Sequence, residues 1–129
     1  MKSYSYLLSL LLTLSLVACT STVDRPSVEE SLLEMGLELG EGNLRIPSYR
    51  INGWRSLDDY NLIITAGVND RYLVRLRSPC FNLRGAFFIG FTTPTGRLDR
   101  FENIIVRGPG RGRETCGIAD IVQLQPVGD

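Results

Sequence analysis

The apolar positions of this chain fall into three regimes. The first is a block: from Leu7 to Val17 nearly every residue is Leu, interrupted only by Ser and Thr. Met1-Lys2 gives it a short positive start, and small or polar residues follow it. A charged start, an apolar run of about 7–15 residues and a small-residue end make the layout of a secretory signal peptide. A membrane-spanning helix needs about 20 apolar residues, and this block is shorter. Residues 1–18 are therefore predicted to be a signal peptide, and Thr20 to Ser27, polar with Pro26, a short tether.

The second regime has helical spacing. In "SVEESLLEMGLELG" the apolar residues Val28, Leu32, Met35 and Leu39 recur three or four apart, as on one face of a helix. Ser27 with Glu30 three residues on is a capping-box pattern, and acids in the first turn suit the helix dipole. Gly36 or Gly40 can end the helix. The pattern predicts one amphipathic helix over 28–36, packed on a core. A helix lying on a membrane surface would carry Lys and Arg on its polar face rather than Glu.

The third regime begins after Gly42, where the period falls to two. "LRIPSYRI", broken by Pro47, fits an edge strand. "NLIITAG" and "RYLVRLRS" are β-rich runs joined by "GVND". In the second run Tyr72, Val74 and Leu76 share one face, while Arg71, Leu73, Arg75 and Arg77 share the other. "AFFIGFTT", "FENIIVRG" and "TCGIADIVQLQ" are further strands, separated by "PTG" and by the loop "GPGRGRE". The expectation is a mainly β, α+β domain over 28–129. It is a small antiparallel sandwich or barrel of five to six strands with one N-terminal helix.

The cysteine count changes the picture. There are three, and an odd number in an exported chain needs an explanation. Leu16-Val17-Ala18-Cys19, directly after the apolar block, resembles the bacterial lipoprotein signal. That resemblance implies that Cys19 becomes the first mature residue and carries lipid. Several acyl chains on one residue give stable anchoring, since each buried methylene adds about 0.8 kcal/mol. Thr20 follows where an Asp would favour inner-membrane retention, so the same resemblance implies the outer membrane. Cys80 and Cys116 remain. In an oxidising compartment an intramolecular disulfide is the default, and two buried free thiols are the alternative.

Charge is uneven. Asp24 to Glu41 holds six acids and one Arg, whereas Gly42 to Asp129 holds twelve Arg and eight acids. Lys2 is the only Lys, so every mature cationic side chain is Arg. Arg suits bidentate recognition of carboxylate or phosphate. The chain has no His, which excludes Ser-His-Asp and Cys-His catalysis. Without His or CxxC spacing, neither a metal centre nor dithiol redox chemistry is expected, and no cofactor is. Asp58-Asp59 is the one obvious carboxylate pair, but adjacent strand residues point to opposite faces, and "SLDDYN" reads as a turn. The candidate binding element is "RGPGRGR", where Arg107, Arg111 and Arg113 could hold an anion beside approachable backbone amides, with Arg75 and Arg77 as further cations. A solvated hairpin loop accounts for the same residues. Tyr72, Phe81, Phe87, Phe88 and Phe91 are expected in the core, and nucleic acid is not an expected partner.

Trp54, Leu57-Asp58, Tyr72-Leu73-Val74, Cys80-Phe81-Asn82-Leu83, Phe101, Ile104, Cys116-Gly117-Ile118 and Ile121 follow in order. This series resembles a family of small proteobacterial lipoproteins known only as a domain of unknown function, over about Ile51 to Leu124. The resemblance implies an exported, acylated domain with Cys80 paired to Cys116, and it implies no activity. The expected role is non-catalytic: a lipid-anchored outer-membrane protein facing the periplasm, meeting an envelope protein or an anionic glycan or lipid.

Overall fold

The computed structural model describes residues 26–109 and 112–128. The predicted signal peptide, Cys19 and most of the tether lie outside the described residues, as does Arg111.

Helix α1 spans Val28–Glu34. The capping box forms in both directions: Glu30 N donates to Ser27 Oγ at 3.2 Å, and Ser27 N donates to the Glu30 carboxylate at 3.1 Å. The helix ends two residues short of the expected 28–36, at the first of the two glycines that could stop it. Gly36 takes a φ of 73°, a left-handed conformation that Gly adopts at little cost, and turns the chain out of the helix. Leu37–Leu39 then form strand β1 instead of a continuing helical face. No helix among the described residues is long and apolar enough to cross a membrane.

The "LRIPSYRI" segment is not one strand. It divides into β2, Ile46–Pro47, and a 3-10 turn, Ser48–Arg50, after which β3 runs over Ile51–Ser56. Then come β4 (Asn61–Ala66), β5 (Asp70–Leu76), β6 (Phe88–Thr92), β7 (Arg97–Leu98), β8 (Asn103–Arg107) and β9 (Arg113–Pro126). The main sheet is antiparallel in the order β3-β4-β5-β9-β8-β6. Its six strands curl into a half-barrel, the mainly β architecture with one helix that the periodicity predicts.

Strand β9 is the spine. Its first part pairs with β8, from Arg107↔Arg113 to Asn103↔Gly117. Its second part pairs with β5, from Leu76↔Ile118 to Arg71↔Leu124. Leu124 also pairs with Leu39 of β1, so β1 and β8 share the edge of β9 opposite β5. The short pair β2–β7 places Ile46 opposite Leu98, both fully buried.

The sheet is buried on both faces at its centre. One core gathers Leu62, Ile64, Val74, Leu76, Ile104, Val106, Ile118 and Ile121 with Ile46, Leu98, Cys80, Leu83 and Cys116. The other gathers Ile63, Leu73, Val122 and Leu124 under Leu32 of α1 and Leu37 of β1. Neighbours such as Leu73 and Val74 thus serve opposite cores, as strand alternation requires. Leu73 does not lie on an open Arg-rich face, because α1 covers the middle of that face.

Candidate functional site

Two of the sequence candidates, Arg107 and Arg113, meet at the end of the sheet where β8 turns into β9. Arg107 closes β8 and Arg113 opens β9, directly opposite each other in register. Both are exposed, and neither makes an ion pair among the described residues. Arg75 and Arg77 do not join them. Arg75 turns to Glu29 of α1 at 3.9 Å, and Arg77 donates to the Arg100 carbonyl at 2.7 Å.

Cys80 and Cys116 are joined in a disulfide, with Cα atoms 5.9 Å apart. Both are buried. The bridge fastens the irregular segment Pro79–Phe87 to the spine strand. Glu114, two residues before Cys116, clasps the same segment from outside. One carboxylate oxygen accepts from Phe81 N and the other from Asn82 N, each at 3.0 Å. Cys80 N donates to the Asp59 carbonyl at 2.7 Å, and Phe87 N donates to the Arg107 carbonyl at 3.0 Å. Gly108 allows the close seating, since a Cβ there would stand 2.8 Å from the Asn82 carbonyl oxygen.

Cys80, Glu114 and Cys116 bring three potential ligand atoms within 4.8 Å of one another. Their chemistry is already spent: the sulfurs are bonded to each other, and the carboxylate accepts two amides. The cluster is a structural clasp. Charge-assisted hydrogen bonds contribute about 1.5–3 kcal/mol, discounted here because Glu114 is partly exposed. Glu114→Ala is expected to cost about 1–3 kcal/mol and to speed amide exchange at Phe81 and Asn82. Unchanged exchange at those two amides would contradict the clasp.

Asp58 and Asp59 do not form a carboxylate pair. Asp58 accepts from Tyr60 N at 2.7 Å and from the Asn61 amide at 3.0 Å, a local turn of the kind Asp favours. Asp59 faces Arg84 at 3.3 Å. The two line a groove of about 530 Å³ between the start of α1, the β3–β4 turn and Arg84.

Three aromatic side chains depart from expectation. Tyr72 and Phe91 pack against the core, but Phe81, Phe87 and Phe88 are 75%, 74% and 48% exposed. Arg107 lies over the Phe88 ring, 5.5 Å from its centroid. Period-two patterning does not distinguish such rings from core ones, and no local signal marks Glu114 as their support.

A mainly β domain, stapled by one disulfide and bearing two exposed Arg side by side where β8 turns into β9, is what the fold and this site define. The chain belongs to a family of unknown function, DUF6491, which it matches over residues 1–128. Neither a curated protein nor a solved structure matches it.

Proposed function

We propose that this chain is a lipid-anchored envelope lipoprotein, held to the outer membrane through Cys19. Its β domain faces the periplasm in a non-catalytic interaction or structural role. The observation that carries this reading is Leu16-Val17-Ala18-Cys19 directly behind the apolar block. The Cys80–Cys116 bridge supports export, because disulfides persist in oxidising compartments. It also leaves Cys19 as the one cysteine outside the pair. The non-catalytic role is supported by how fully the candidate acids are used: Asp58 in a turn, Asp59 on Arg84, Glu114 on two amides.

The test is palmitate labelling in cells. Wild type is expected to incorporate label and fractionate with membranes, and Cys19→Ala is expected to lose both. Equal labelling of the two proteins would overturn the anchoring.

A second reading has its own support. Arg107 and Arg113 sit side by side across the β8–β9 ladder, a spacing that suits one anionic group of an envelope lipid or glycan. Serine at both positions is expected to abolish such binding, measured with lipopolysaccharide fragments.

A further inference from the structure

Strands β6, β8 and β9 set three side chains in one row across one face of the sheet. Phe88 lies opposite Arg107, and Arg107 lies opposite Arg113. Cross-strand partners share a face. All three side chains are exposed. The row is open beyond Arg113, because β5 joins β9 only from Ile118 onward. Like charges placed directly opposite each other destabilise a ladder, and neither Arg makes an ion pair among the described residues. Glu114 follows Arg113 in sequence, but strand alternation turns it to the other face. There its two oxygens accept Phe81 N and Asn82 N.

The row is also ordered. The Arg107 guanidinium lies over the Phe88 ring, 5.5 Å from its centroid, a cation–π contact. The ring in turn rests on the sheet where Gly90 leaves room for it: a Cβ on Gly90 would stand 3.2 Å from the ring. Two neighbouring charges of one sign, with no counter-charge, suit one doubly charged anion. A carboxylate or a phosphodiester carries a single charge and leaves one Arg uncompensated. A phosphomonoester carries about −1.5 to −2 at neutral pH and presents three acceptor oxygens, which serve two guanidinium forks at once.

We propose that Arg107 and Arg113 form a site for a phosphomonoester dianion, with Phe88 as the residue that positions Arg107. The inference deepens, and rests on, the reading of this pair as an anion site. The shared chemistry is the dianion, whether the phosphate is free or carried on an envelope sugar.

The test is isothermal titration of the full chain in neutral detergent, at low salt and about pH 8, where the ester is a dianion. The probes are glucose 1-phosphate, inorganic phosphate, dimethyl phosphate and glucuronate. The first two are expected to bind at least about tenfold more tightly than the last two, which carry one charge each. Equal affinity for the two dianions assigns the site to the phosphate alone, and tighter binding of the sugar phosphate assigns it to a carried one; both support the proposal. Lowering the pH to about 5 protonates most of the ester, whose second pKa is about 6, and should weaken glucose 1-phosphate about tenfold. Dimethyl phosphate should be unaffected. The groups in the row do not titrate over that range: β8 and β9 present Arg, β6 presents Phe88, and the chain has no His. Arg107→Ser with Arg113→Ser should abolish binding, whereas Arg97→Ser, exposed on β7, should leave it unchanged. Phe88→Leu should weaken binding severalfold, and should have no effect where Arg107 is already Ser; an undiminished effect there overturns the role given to Phe88. Monoanions that bind as tightly as dianions overturn the proposal and leave the anion site standing. Binding that survives the double substitution, or no binding of any probe, overturns both.

Discussion

Replacing Cys80 and Cys116 together by Ala is expected to lower the stability of the domain by about 2–5 kcal/mol. The bridge spans a sequence separation of 36, for which the chain-entropy account gives about 4 kcal/mol. Domains of this size are stable by about 5–15 kcal/mol, so the loss is a large fraction of the whole. It has a structural consequence as well. The segment Pro79–Phe87 has no ladder of its own, and Leu83, fully buried, is carried into the core by the bridge beside it. The effect is measured as the denaturant midpoint of the double variant, and separately of wild type in reductant, which should fall by a similar amount. A shift below about 1 kcal/mol in both would show that Glu114 and Leu83 hold the segment without the sulfurs.

What was legible in the chain divides by distance along it. The Ser27–Glu30 box and the Asp58 turn are made within three residues, and both were readable because their partners are printed beside them. The strands Asn61–Ala66 and Asp70–Leu76 were readable for the same reason: two β-rich runs joined by a short turn must pair. The end of α1 was readable only as a choice, because Gly36 and Gly40 could each end it and Leu39 also fits helical spacing. What decides between helix and strand there is the pairing of Leu39 with Leu124, 85 positions away. The clasp of Glu114 on Phe81 and Asn82 crosses 32 or 33 positions and has no local mark at all.

The candidate site was legible in its cations and not in its rings. "RGPGRGR" announces itself by composition, and its flanking Arg107 and Arg113 do come together across β8 and β9. Phe81, Phe87 and Phe88 were expected inside on hydrophobicity, yet they are exposed. Hydrophobicity is a one-way guide, since a folded surface still carries much apolar area. Which of several Phe residues is left out depends on how much core the curled sheet encloses. Here Leu83 and Ile104 are buried in the same core as Cys80 and Cys116, while Phe81, Phe87 and Phe88 are left exposed.

Leu73→Ala is the second change expected to have a large effect, at about 2–5 kcal/mol. Leu73 lies in the middle of β5 and is fully buried. It belongs to the smaller core, where Ile63, Val122 and Leu124 of the sheet meet Leu32 of α1 and Leu37 of β1. With so few members, that core has little to collapse into the space left behind, which places the cost toward the upper part of the range. The helix should suffer most. α1 has seven residues, too few to persist on propensity alone, so it stands on this contact. Leu73→Ala should therefore lower the denaturant midpoint and also raise amide exchange in α1 relative to β8. Leu33→Ala is the control: Leu33 sits on the same helix but is 58% exposed, and its loss should change stability by less than about 0.5 kcal/mol. Equal effects of the two substitutions would mean that α1 is not seated on the sheet through Leu32 and Leu73.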